Sequence, residues 1–207
     1  MVAQTKESQA QLTPRTALDA LMDGNKRFLS QSPAERSVIE QVKATATGQY
    51  PFACVLSCID SRVPVEMVFD QGVGDLFSAR IAGNFVNDDI LGSMEFACKL
   101  AGSKVIMVLG HTSCGGVKGA CDNAELGLLT QMLRKIKPAV EAVKTEPGTD
   151  RSSKNKTFVD NVAAENVRMN VKAITERSSV LKELVDNGDL IVVGAMYDVA
   201  SGKVSKV

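Results

Sequence analysis

Residues 52–62 read Phe52-Ala53-Cys54-Val55-Leu56-Ser57-Cys58-Ile59-Asp60-Ser61-Arg62. Phe52–Cys58 is a short run, almost wholly apolar, of strand length. It lacks the polar alternation of a half-buried strand, so it reads as a strand covered on both faces. At its end the character changes to chemistry: a thiol, a carboxylate and a guanidinium at alternate positions. A second stretch has the same plan. Val105–Leu109 is entirely apolar, and it runs into Gly110-His111-Thr112-Ser113-Cys114-Gly115-Gly116. Two further strand candidates are Leu76–Ala82 and Leu190–Met196, with a short edge-strand candidate at Val204–Val207 after the Ser201-Gly202 turn.

Helical spacing fills the intervals. Thr13-Pro14 is a helix start, because Thr caps and Pro suits the first helical position. Ala17, Leu18, Leu21 and Met22 then recur at helical spacing. Val38–Thr47 and Pro64–Asp70 read as short helices. Asp88 and Asp89 open a helix through Lys99, which Gly102 ends. Helical character resumes at Gly115 and runs over Leu126–Val143, with Pro138 inside it. Phe158–Leu184 is helical with a weak point near Ser178-Ser179. Apolar strands alternating with helices predict an α/β fold on a mainly parallel sheet. In such sheets ligands gather beyond the carboxyl ends of the strands.

The 207 residues suit one domain, 1–207, with an N-terminal helical arm over 1–50 and a metal-binding α/β core over 51–207. Residues 1–12 read as a flexible polar arm. Lys+Arg and Asp+Glu are both 24, so there is no electrostatic footprint for nucleic acid. No apolar run approaches the ~20 residues of a membrane helix, and no signal peptide is visible. Five cysteines (54, 58, 98, 114 and 121), odd in number and irregular in spacing, make a poor disulfide framework. Reduced thiols point to the cytoplasm as the expected compartment, with the periplasm as the alternative had a signal been removed. Aromatic residues are only 4% and Trp is absent, which leaves few platforms for stacking bases or sugars.

His111 is the sole histidine. A lone histidine is more often a hydrogen-bonded core residue, and a lone cysteine a small buried hydrophobe. Here a histidine and two cysteines each stand just past a strand, so Cys58, His111 and Cys114 read as metal ligands: two thiolates and one imidazole, the donor set of zinc. Three protein ligands leave a fourth position open, as catalytic zinc requires. If residues 58–62 are extended, Asp60 and Arg62 point the same way, and the arginine can hold the carboxylate ionised and oriented. A plain surface ion pair would be worth little; its place beside Cys58 favours a role at the site. Gly110–Gly119 follows a strand as a phosphate loop would, yet it lacks the Gly-Lys-Ser/Thr ending, which rejects a nucleotide site. Cys54, Cys98 and Cys121 read as core thiols.

Cys58-x-Asp60-x-Arg62 with His111-x-x-Cys114 resembles the β-class carbonic anhydrases. The match extends to Arg80-Ile81-Ala82-Gly83-Asn84, Gly110–Gly116 and Gly194-Ala195-Met196-Tyr197-Asp198, and spans roughly residues 13–207. The resemblance implies sheet order 2-1-3-4 with an antiparallel fifth edge strand, a homodimer or homotetramer, and N-terminal helices lying across the partner. It implies one zinc per chain and the interconversion of carbon dioxide and bicarbonate by attack of zinc-bound hydroxide, with Asp60 orienting the hydroxide and Arg62 orienting Asp60. A substrate pocket of Gln49, Phe77, Phe96 and Gly115 is implied as well, with one member reaching in from the partner. Family members that close at low pH carry Trp three residues before the first cysteine. Val55 stands there, so the resemblance is to the open-site pattern. Two alternatives keep the same motifs: a same-fold hydrolase of carbon disulfide or carbonyl sulfide, and a non-catalytic zinc-binding homologue.

Overall fold

β1 (Ala53–Ser57) and β3 (Val105–His111) lie side by side and parallel in the interior of a five-stranded sheet. Every residue of both is buried, which is why neither alternates. β2 (Leu76–Arg80) flanks β1 and β4 (Ile191–Tyr197) flanks β3, both parallel to their neighbours. β5 (Val204–Lys206) pairs antiparallel with β4, giving the order β2-β1-β3-β4-β5. Fold class, strand order and antiparallel edge are those expected. The computed structural model describes residues 3–207.

Successive side chains of β3 enter opposite cores, as the two-residue period of a strand dictates. Val105, Met107 and Leu109 join Ala17, Leu18 and Leu21 of helix α2 (Pro14–Leu29). Ile106 and Val108 join Met94 of α5 (Asp88–Glu95), Val167 and Ile174 of α9 (Lys156–Arg177) and Leu181 of α10 (Ser179–Asp186). Each such buried Leu, Ile or Met contributes about 1.5–3 kcal/mol. α2 therefore packs on the sheet of its own chain. Its start is as expected: Thr13 accepts from the Thr16 amide, and Pro14 occupies the first helical position. Ser178 is the weak point between α9 and α10: it ends the first and its hydroxyl accepts the Leu181 amide at 3.0 Å to cap the second.

The structure corrects two expectations. Within residues 3–12 the expected flexible arm holds a capped helix, α1 (Lys6–Ala10), whose Gln9 is buried; residues 1 and 2 lie outside the described part. Gln9 Nε2 donates to the carbonyls of Pro51 and Ala101, each at 2.8 Å. A polar segment docked by one amide leaves no apolar pattern to read. Second, 126–143 is not one helix. α7 (Gly127–Arg134) stops and α8 (Lys137–Ala142) starts with Pro138 in its first turn, where its missing N–H costs nothing. Shorter elements complete the chain: α3 (Val38–Ala44), α4 (Val65–Val68) after β1, and α6 (Gly115–Cys121) after β3. The last turn after α5 widens into a π-helical turn, Phe96–Leu100.

Candidate metal centre and active site

β1 and β3 are in register with Ser57 opposite Leu109, so the residues just past them meet at one end of the sheet. Cys58 and His111 are delivered there directly. Cys114 arrives by a tight turn at Ser113, whose φ is +56°, and then caps α6. The three ligand atoms lie within 4.8 Å of one another, and all three residues are buried. The Cys58 and Cys114 sulfurs are 4.0 Å apart. That is far beyond a disulfide's ~2.05 Å and close to the spacing of two thiolates on one tetrahedral ion with bonds of ~2.3 Å.

The imidazole supplies the test of fit. His111 Nδ1 lies 3.0 Å from the Thr112 carbonyl. A carbonyl only accepts, so Nδ1 carries the hydrogen and Nε2 presents a bare lone pair. Nε2 is buried and has no hydrogen-bond partner. An orphaned buried acceptor facing two thiols is costly without a ligand; a metal ion satisfies it. Hydrogen bonding from Cys114 drives Cys58 down against the opposing cost of burial, aided by the Gly83 amide. Cys114 is correspondingly driven up, by Cys58 and by burial. The Gly83 N–H donates to Cys58 Sγ at 3.4 Å. By contrast, burial pushes the Cys54 thiol up to about 12, as fits the core thiol expected there.

Asp60 and Arg62 meet, though not by extended alternation. The chain turns here, with the Val63 amide donating to the Asp60 carbonyl at 3.0 Å. The guanidinium grips the carboxylate with both arms, Nε to Oδ1 at 2.9 Å and Nη2 to Oδ2 at 2.7 Å. Arg62's own amide adds a third bond to Oδ1, at 3.0 Å. Arg62 holds the Asp60 carboxyl well below the usual carboxylate range, chiefly through these hydrogen bonds. Asp60 Oδ2 lies 3.8 Å from His111 Nε2, so the carboxylate faces the metal-binding cluster. Arg62 is half exposed and opens the site toward solvent.

Four residues to which the sequence alone assigns no role hold this arrangement. Arg80 donates to the carbonyls of Cys58 (2.9 Å) and Asp60 (2.7 Å). Gly83, at φ +79°, aims its amide at Cys58, and Asn166 of α9 fixes its carbonyl at 2.8 Å. Asp160 of α9 accepts the Ser113 amide at 2.8 Å. Arg80 and Gly83 belong to the Arg80–Asn84 stretch that carries part of the family resemblance. Asn166 is detectable as an amide on the buried face of α9; Asp160 carries no signal.

The expected pocket residues do not gather around one cluster. Gly115 directly follows Cys114 and is open, with nothing within 4 Å of where a Cβ would stand. Gln49 precedes the amino end of β1, and the five residues of that strand, about 17 Å, separate it from Cys58. It lines a surface hollow with Thr45, Gly48 and Gly74. Phe77 stands opposite Cys54 on β2 and stacks edge-to-face on the exposed Phe96, with ring centres 6.1 Å apart. The pair lines a groove along the β2 edge with Asp89 and Ser93.

Among the described residues no helix is long and apolar enough to cross a membrane. The profile of the carbonic anhydrase family matches residues 53–204. A carbonic anhydrase of Mycolicibacterium smegmatis is 35% identical over 197 residues, 92% of each chain. Carbonic anhydrase 2 of Mycobacterium tuberculosis is 34% identical over 196 residues, covering 92% of this chain and 91% of its own. Among solved structures, a β-carbonic anhydrase of Aspergillus fumigatus superposes with a TM-score of 0.69 at 28% identity, over 92% of this chain and 90% of that one. A tetrameric β-carbonic anhydrase of Sordaria macrospora gives 0.70 at 23% identity, over 93% and 95%, a likeness of fold. With a family match over most of its length and relatives of this identity and coverage, the chain belongs to the carbonic anhydrases, in their β class.

Proposed function

We propose that this enzyme interconverts carbon dioxide and bicarbonate on one zinc ion per chain, held by Cys58, His111 and Cys114. The observation that carries the reading is the buried, unpartnered His111 Nε2 within 4.8 Å of two thiols. Zinc in such a site supplies a Lewis acid that makes water nucleophilic near neutral pH.

The chain's own residues supply orientation. Asp60, kept ionised by Arg62, is an acceptor throughout the neutral range. It takes a hydrogen bond from the attacking water and so aims the oxygen lone pair at the substrate carbon. The two-armed grip of Arg62 keeps Asp60 from turning away. An intact Asp60–Arg62 pair favours a catalyst over a zinc-binding module. The only histidine is spent as a ligand, so the proton leaves to water or buffer.

The pocket reading keeps Gly115 beside the cluster and assigns Gln49, with Phe77 and Phe96, to the interface with a second copy, since within one chain Gln49 precedes the amino end of β1 and Cys58 follows its carboxyl end. The tetrameric Sordaria relative supports a dimer or tetramer. None of the five cysteines is in a disulfide, in keeping with a proposed reducing compartment such as the cytoplasm. Stopped-flow hydration of carbon dioxide by protein carrying one equivalent of zinc tests the reading. Rapid hydration without turnover of carbon disulfide is expected. Turnover of carbon disulfide alone would assign the same site to the hydrolase.

A further inference from the structure

We propose that Asp160 of α9 is a positioning residue of the metal centre: its carboxylate holds the left-handed turn at Ser113 and thereby sets the separation of His111 and Cys114. The proposal rests on the reading of those residues as ligands. Only two residues separate the end of β3 from Cys114, which opens α6. The chain reverses in that space by putting Ser113 at φ +56°, a conformation that a residue with a Cβ keeps only when its surroundings impose it.

Ser113 does not impose it on itself, for its hydroxyl makes no hydrogen bond among the described residues. The restraint comes from a helix 47 residues further along, where Asp160 Oδ1 accepts the Ser113 amide at 2.8 Å. Oδ2 is taken by Lys156 Nζ at 2.6 Å, so the carboxylate has one orientation. The Asp160 side chain is only one-fifth exposed, which protects the bond from competing water. The docking of α9 does not need this residue: Phe158, Val159, Val162 and Ala163 bury its apolar face on either side. The single polar bond therefore constrains the ligand turn rather than the helix.

The holoenzyme tests this through metal release to a chromogenic chelator and through the thiolate-to-metal absorption of the cobalt-substituted protein. Asp160→Ala should release zinc about tenfold faster or more and alter the cobalt spectrum. Asp160→Asn keeps an oxygen acceptor and should stay within about threefold of the parent. The decisive variant adds Ser113→Gly to Asp160→Ala. Glycine adopts positive φ without strain, so it should restore slow release and the parent spectrum, which a mere helix anchor would not. Should the single alanine variant fail to fold, the double variant decides by itself. Parent-like release from Asp160→Ala, or a double variant that is not rescued or does not fold, overturns the proposal. If the parent protein itself binds no stoichiometric zinc, the metal reading falls and this proposal with it.

Discussion

The two loops that carry the candidate ligands are supported in different ways. Cys58–Arg62 is held from the adjacent strand: Arg80 and Gly83 stand at and just past the end of β2, which pairs directly with β1. His111–Cys114 is held from remote sequence. Asp160 grips Ser113, the Thr112 amide donates to the Tyr197 carbonyl at 3.0 Å, and the Val199 amide donates to the Thr112 hydroxyl at 3.0 Å. The first loop also carries the Asp60–Arg62 pair, whereas the second contributes only ligands. The loop that does the orienting is thus held from the end of β2, whereas the loop that completes the metal site is held both from the end of β4, the strand paired with β3, and from α9.

The largest effect should come from removing one ligand from each loop, where the two ought to behave alike. Cys58→Ala and His111→Ala should both lose zinc and all measurable hydration, because two protein ligands do not hold a catalytic ion against solvent. Elemental analysis with stopped-flow rates checks it; full zinc in either variant removes that residue from the ligand set. The loops should differ once the orienting pair of the first is altered. Asp60→Asn should keep zinc while the hydration rate falls about 10²–10³-fold, the usual cost of losing one preorganised acceptor or donor at a reacting group. Arg62→Lys should cost less, roughly tenfold, since lysine keeps the charge and loses the fork. Loss of zinc from Asp60→Asn would mean that the pair builds the site rather than serving it.

The difference between the loops also explains what is legible in the sequence. Val105–Leu109 and Phe52–Cys58 announce buried parallel strands because burial on both faces demands unbroken apolar runs. Their ends announce the site because thiols, imidazole and carboxylate are rare neighbours. Supports from the adjacent strand are half legible, for Arg80 and Gly83 lie in a recognisable stretch. Asp160 is not, because a charged residue on a long helix reads as solvated until the fold brings Ser113 to it. Gln9 escapes for the same reason: one side-chain amide docks α1, and no periodicity records it.

Acid separates the two loops further. The first loop runs through α4 to Asp70, a buried carboxylate gripped by Arg27 Nε at 2.5 Å and Arg36 Nη2 at 2.8 Å. Burial pushes the Asp70 carboxyl up, but Arg27, the Ala34 amide and Arg36 outweigh it and hold it below its ordinary value. A carboxylate depressed in the folded state stabilises fully above its unfolded pKa, near 3.8, and that contribution is lost as pH falls through the lower folded value. Asp70→Asn should therefore melt lower at pH 6, by about 4–8 °C for a loss of about 2 kcal/mol. The gap should narrow below about pH 4 as the wild-type carboxylate takes up its proton. A gap independent of pH would show that shape, not charge, holds this end of the loop.

The mildest change probes the second loop alone. Thr112 joins it to the end of β4 through an amide that donates to the Tyr197 carbonyl, and to the β4–β5 turn through a hydroxyl that accepts from the Val199 amide. Thr112→Val keeps the side-chain shape and the amide bond but leaves the Val199 N–H, in partly buried surroundings, without its acceptor. One lost neutral hydrogen bond costs about 1 kcal/mol, which in a chain of this size lowers the melting temperature by about 2–4 °C. Because Ser113 and Cys114 are fixed by α9 rather than by this turn, zinc should stay bound and the hydration rate should stay within about twofold of the parent. Faster zinc release from Thr112→Val than from Asp160→Ala would reverse the assignment, making the β4–β5 turn, and not the helix, the main support of the second loop.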